Sequence, residues 1–149
     1  MKARIYLDTS VFSALLDDRL PDRQALTVDL WNRRAQFDLS TSEPTREELA
    51  GAGDPIRRSG LVALLNEVTV FDITEQMREL ADRYVEERVF SPAMRDDALH
   101  VAAAVLTRQD ILLSWNFKHL VNRVRRARVN TANVEKGFPV LELLAPAEL

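Results

Sequence analysis

The sequence predicts an α/β fold with a mostly parallel sheet. Two observations carry that prediction. Short apolar runs recur along the chain, and stretches with the helical period lie between them. Such alternation is the pattern of strands joined by helical crossovers, which makes the strands parallel. The first run, Ile5-Tyr6-Leu7, ends on Asp8 and is followed by Thr9 and Ser10. Ligands of an open α/β sheet bind outside the carboxyl ends of its strands. A strand-end acid is therefore the first candidate for chemistry.

The elements follow in order. Ser10 to Asp17 reads as a short helix with Thr9 or Ser10 as its cap. After the break at Leu20-Pro21, a second helix runs from about Asp22 to Ala35. Phe37 to Thr41 is the second strand. Ser42 then fits an N-cap with Pro44 in the first turn, and Glu43, Glu47 and Glu48 crowd the positive end of the helix dipole. A further helix spans about Ile56 to Asn66, and Val68 to Ile73 is the third strand. From Thr74, Met77, Leu80, Ala81, Tyr84 and Val85 fall on the amphipathic template. Ser91-Pro92 opens a helix to about Thr107 that is apolar almost all round and so should be deeply packed. Ile111 to Ser114 is the fourth strand. Asn116 is predicted to cap a helix with Phe117, Leu120, Val121 and Val124 on one side. Asn130 to Gly137 reads as a polar connection, and Pro139 to Leu144 as a last strand. No repeat or linker interrupts residues 1–149, which are expected to form a single domain.

Composition removes several function classes. The net charge of −3 argues against a strongly basic nucleic-acid binder, although a local basic surface is compatible with it. Absence of cysteine excludes disulfides, iron–sulfur clusters and thiolate zinc sites. No apolar run approaches the roughly 18 residues of a membrane span, and no targeting segment opens the sequence, so a cytoplasmic protein is expected. With His100 and His119 the only histidines, a metal would be held mainly by oxygen, which favours magnesium or manganese.

Four positions are candidates for one site. Asp8 is either a helix cap or a metal ligand; it lacks the second Asp of the phosphatase-type Asp-x-Asp pattern. Glu48 adjoins Leu49, which should face the core, whereas Glu43 and Glu47 fit a solvated face. Asp97 shares a helical face with Val101, Ala104 and Val105. A carboxylate there is costly unless it is paired or holds a cation, so the choice lies between a ligand and a buried salt bridge. Asp96 falls beside His100 and Thr107, on a face predicted to meet solvent. Asn116 follows the fourth strand, as a cap, as a group orienting a water, or as both.

These stretches resemble the PIN domain, the nuclease fold of VapC-type toxins. The likeness rests on Ile5-Tyr6-Leu7-Asp8-Thr9-Ser10, Ser42 with Glu48-Leu49, Asp97 to Ala104, and Leu112 to Leu120. It implies a three-layer α/β/α sandwich and an acidic site for Mg2+ or Mn2+ at the strand carboxyl ends. By the resemblance, Asp8, Glu48 and Asp97 hold the metal. Asn116 takes a fourth catalytic position that is often Asp in the family, which leaves one cation or two open. Ser10 matches a hydroxyl beside the first acid.

The activity implied is metal-dependent hydrolysis of RNA by the toxin of a toxin–antitoxin pair, with an antitoxin as partner and a homodimer as the assembly. Val11, Phe12, Leu15 and Leu16 are either a dimer surface or core. Lys118, His119, Arg123, Arg125, Arg126 and Arg128 form a candidate RNA-binding rim, with Arg57 and Arg58 as a weaker patch; a solvated helix face explains them equally well. Two other classes stay open. One is a PIN-fold binding module without nuclease activity, which the neutral Asn116 keeps in view. The other is a different magnesium-dependent α/β hydrolase or phosphate-binding domain. Walker and Gly-x-Gly-x-x-Gly loops are absent.

Overall fold

The computed structural model describes residues 1–149. Strand β1 (Arg4–Leu7) leads into helices α1 (Thr9–Leu15) and α2 (Pro21–Asn32). Strand β2 (Asp38–Ser42) precedes α3 (Glu43–Ala50) and α4 (Pro55–Leu64). Strand β3 (Thr69–Phe71) precedes α5 (Glu75–Glu86) and α6 (Arg95–Leu106). Strand β4 (Ile111–Leu113), α7 (Arg123–Glu135) and β5 (Glu142–Leu144) follow.

All five strands are parallel, in the order β3-β2-β1-β4-β5. Ile5, Tyr6 and Leu7 of the central strand are wholly buried. Successive strand residues point to opposite faces, so both faces of the sheet are covered. The fold is a three-layer α/β/α sandwich, as the resemblance implies, and its sheet is parallel, as the sequence pattern predicts. From β1 the chain steps outward to β2 and β3, then crosses back to place β4 on the other side of β1. The crevice at the carboxyl ends of β1 and β4 is thus the topological switch point, where sheets of this kind bind ligands. Helix α6 is buried almost throughout, from Ala98 to Val105 with only Leu99 partly exposed. No helix is long and apolar enough to cross a membrane.

The structure departs from expectation at several helix ends. Asp8, and neither Thr9 nor Ser10, caps α1 by accepting from the Ser10 amide at 3.0 Å. Ser42 stands at the N-cap of α3 but caps nothing with its side chain, which instead bonds the Tyr6 hydroxyl at 2.5 Å. Asn116 does not start a helix. Its Oδ1 accepts from the His119 amide at 2.9 Å and closes one turn, but the chain stays irregular until Asn122 caps α7 through the Arg125 amide at 2.8 Å. The apolar spacing of Phe117, Leu120, Val121 and Val124 therefore spans a loop: Leu120 and Val121 are buried, while Phe117 and Val124 are exposed.

The polar run from Asn130 is helix, not connection, as far as Glu135. Its asparagines reach across to neighbours instead of competing with their own backbone. Asn130 bonds both the Leu141 carbonyl and amide at 2.9 Å, and buried Asn133 accepts from the Tyr84 hydroxyl. Gly137, with φ of 78°, takes the left-handed position just past the helix end.

Asn122 also donates to the Phe117 and Lys118 carbonyls, at 3.0 and 3.1 Å. Asn122→Ala should cost about 1–2 kcal/mol, which corresponds to a fall of very roughly 2–8 °C in the thermal midpoint. An unchanged midpoint in a heat scan would show that the cap does not hold this loop.

Candidate functional site

The switch-point crevice opens into a cleft of about 440 Å³ whose wall includes Asp8, Glu48, Asp97 and Asn116, together with Ser10, Ser13, Asp96 and His100. Four segments thus bring the four predicted positions together: the end of β1, helix α3, the first turn of α6, and the loop after β4.

Asp8 is 5% exposed. Its Oδ1 accepts from the Ser10 amide and, at 2.5 Å, from the Ser10 hydroxyl. Its Oδ2 accepts from the Ser114 hydroxyl at 2.6 Å. Burial pushes the Asp8 carboxyl above its ordinary value, and the nearby Asp97 charge adds to this, while the two serine hydrogen bonds and His100 oppose it. Asp97 is only partly buried and pairs with His119, Nδ1 to Oδ2, at 3.0 Å. Burial pushes this carboxyl up as well, opposed chiefly by His119.

Glu48 is exposed and bonds His100 Nε2 through Oε1 at 3.2 Å. Burial of part of the side chain pushes its carboxyl up, but hydrogen bonds from His100 and Thr9 outweigh that and hold it below its ordinary value. His100 is itself buried, contrary to the expectation of a solvent-facing position. The other ring nitrogen, Nδ1, lies 2.6 Å from the Tyr6 hydroxyl. Burial disfavours a charged ring, but Tyr6, Glu48 and Asp8 outweigh it and raise His100 well above its ordinary value. A protonated His100 donates at both ends, to Glu48 and to the Tyr6 oxygen, and Tyr6 then donates to Ser42.

As placed, no three acidic or histidine side chains stand close enough to share a metal ion. Each carboxylate is turned to a donor instead: Asp8 to two serines, Glu48 to His100, Asp97 to His119. The donor set itself fits a hard cation, because it is all oxygen and no thiol is present. An ionised carboxylate offers about four lone-pair sites, so Asp8 keeps acceptor capacity beyond its serine bonds.

The basic positions divide. Lys118 and Arg123 are exposed and free of ion pairs. Arg125 is a brace: it donates to the His119 carbonyl at 2.8 Å, to the Val89 carbonyl and to Met94 Sδ, and lies 4.4 Å from the Phe90 ring centroid. Burial lowers its basicity. Arg126 is paired with Glu148 at 2.7 Å. Arg57 and Arg58 donate to the carbonyls of Leu16 and Ala52. Val11, Phe12 and Leu15 belong to the core, whereas Leu16 is exposed. Ser114 and His100 are site residues that sequence reasoning passed over. The signal for His100 was its place three residues after Asp97 on an otherwise apolar helix.

The family model described as PIN domain matches residues 5–116. No curated protein matches the chain. Several solved structures are similar, three of them as follows. VapBC-1 from nontypeable Haemophilus influenzae is 17% identical, with 97% of this chain and 98% of that one covered, at a TM-score of 0.62. VapBC2 from Rickettsia felis, bound to a DNA fragment from its promoter, is 14% identical, with 95% and 98% covered, at 0.60. VapC20 from Mycobacterium tuberculosis, a sarcin–ricin loop cleaving toxin, is 20% identical, with 77% and 92% covered, at 0.59. At these identities the likeness is one of fold.

The raised Asp8 value has a testable sign. In the folded chain Asp8 keeps its proton above 3.8, where the unfolded chain has lost it. The folded state binds more protons there, so stability falls as pH rises through that window. Asp8→Asn removes the charge and keeps a capping oxygen. In EDTA the variant should melt above wild type at neutral pH, with the gap closing toward pH ~4. A variant that melts lower at every pH would contradict this account of the site.

Proposed function

Because the chain belongs to the PIN domain family, we propose that its cleft hydrolyses RNA phosphodiester bonds with a divalent cation, Mg2+ or Mn2+. The observation that carries this is the convergence of Asp8, Glu48 and Asp97 on one cleft at the switch point of the sheet. Asp8 and Asp97 would hold the cation, with Glu48 holding it directly or through water. When bound, the cation polarises the phosphoryl oxygen and acidifies a water.

The chain's own groups do the rest. Ser10 and Ser114 fix both oxygens of Asp8 against the strand end. His100, anchored by Tyr6, holds Glu48 at the cleft wall. His119 holds Asp97 at 3.0 Å and would have to release it for that carboxylate to hold a cation. Asn116, whose backbone amide donates to Ser114 at 2.9 Å, adds a neutral polar side chain to the cleft lining that can orient water. The Ser10 and Ser114 hydroxyls are held in the wall, donating to Asp8 and accepting from the Trp115 and Asn116 amides, so direct attack by water is the mechanism that fits. Lys118 and Arg123, exposed and free of ion pairs, are rim cations available to RNA phosphates, as is exposed Arg128.

The toxin part of the proposal is supported by the named relatives of this fold, which are VapBC complexes and an RNA-cleaving VapC. On that basis the chain is a single-domain, cytoplasmic toxin that works as a homodimer and is held by a cognate antitoxin.

Purified protein incubated with RNA and Mg2+ or Mn2+ should cleave it, and Asp8→Asn and Asp97→Asn should each lower the rate by at least ~100-fold, as loss of several kcal/mol of charge stabilisation requires. Equal cleavage by wild type and variants would mean a contaminant, and none by any would leave a binding module. Magnesium at a hundred times its Kd should also raise the thermal midpoint by roughly 5–10 °C, an increase that Asp8→Asn should abolish.

A further inference from the structure

A second pocket, of about 400 Å³, adjoins the acid cleft and shares Ser10, Ser13 and Asn116 with it. Leu20, Arg23 and Trp115 supply much of its remaining wall. Because three residues border both spaces, a strand laid with a phosphodiester on the acids has a neighbouring nucleotide at this second pocket.

The wall has the chemistry of a base platform. Arg23, on α2, makes no ion pair with any carboxylate, although the cleft next to it is rich in them. It lies on aromatic faces instead, 5.2 Å from the Trp115 ring centroid and 5.4 Å from that of Phe117. The two rings pack edge to face at 6.1 Å. The platform is rigid, since Trp115 Nε1 donates to buried Thr27 at 2.9 Å. It is also registered against the acids. The Trp115 amide donates to Ser10 Oγ at 2.8 Å, and that same hydroxyl donates to Asp8. Unstacked RNA bases are held on aromatic rings and guanidinium planes, and an unpaired arginine beside an acidic centre offsets the repulsion a phosphate chain meets there.

We propose that this pocket is a nucleobase subsite, which takes the base of a nucleotide flanking the scissile phosphate and stacks it on the Arg23–Trp115 pair. The proposal rests on the cleft's role in phosphodiester hydrolysis, and its test separates the two. Trp31→Phe leaves Trp115 as the sole tryptophan and so as a reporter. In that background, AMP, GMP, CMP and UMP are titrated against ribose 5-phosphate, with no cleavage needed. At least one nucleotide should change Trp115 fluorescence saturably where ribose 5-phosphate does not. Arg23→Ala should weaken that binding about tenfold. Arg23→Lys, which keeps the charge and loses the plane, should restore only part of it.

Equal responses to ribose 5-phosphate, or undiminished binding by Arg23→Ala, would overturn the subsite. So would silence to every nucleotide with a response only to an antitoxin peptide, which would assign the pocket to a protein partner. The second arm uses an RNA oligonucleotide spanning a mapped cleavage position. Removing the flanking base should lower kcat/KM in wild type and have little further effect in Arg23→Ala. An equal loss in both proteins would overturn the subsite while leaving hydrolysis intact.

Discussion

A carboxylate buried at the meeting of two parallel strands sets the geometry of everything around it. An ionised Asp taken out of water costs several kcal/mol unless its oxygens are satisfied, and Asp8 is 5% exposed. The Ser10 hydroxyl and amide and the Ser114 hydroxyl satisfy it. Those same serines then accept from the amides of Trp115 and Asn116. The loop after β4 is in this way hung on the atoms that hold the acid. The Asp8 amide, bonded to the Leu113 carbonyl at 3.2 Å, extends the β1–β4 pairing to the cleft's edge. Fixing one charge therefore fixes the strand register, the start of α1 and the position of Asn116.

The two histidines divide the remaining acids between a rigid wall and an adjustable one. His100 is locked in the core by Tyr6, and through it Ser42, so β1, β2 and α6 together set where Glu48 is held. His119 sits on the irregular loop and is only partly buried, so its hold on Asp97 is easier to release. Arg125 steadies that loop by binding the His119 carbonyl from one side and the Val89 carbonyl from the other. A basic residue that resembles part of an RNA rim in sequence is thus spent on the shape of the site.

Much of this architecture is legible in the sequence because local patterns decide it. Strands β1 and β4 announce themselves as apolar runs, and Asp97 stands out because helical periodicity puts a charge among Val101, Ala104 and Val105. What is not legible depends on distant partners. His100 falls on the same side as Asp96, and only Tyr6, 94 positions away, makes it an interior residue. Asparagine is a good helix cap, and the structure uses Asn122 where the sequence points to Asn116. The choice between them is tertiary: the turn that Asn116 closes is tied through His119 to Asp97 on α6, and the helix begins only after Asn122. Asn130 and Asn133 read as a loop until their partners, Leu141 and Tyr84, are known.

The bond between Asp8 and Ser114 joins positions 106 apart in the chain. Its consequence is one of timing. Local contacts such as the α1 cap can form while a chain is still growing, but this one must wait until the chain has reached β4. Closing a loop over such a span carries an entropic cost that the local cap does not, so the second serine is the costlier of the two to bring to the acid. Until β4 is in place, the β4-facing edge of β1 is unpaired and Asp8 has only Ser10 as its partner. A fragment that stops short of β4 would contain all three acids but lack Ser114, the second partner of Asp8, His119, the partner of Asp97, and the Asn116 wall.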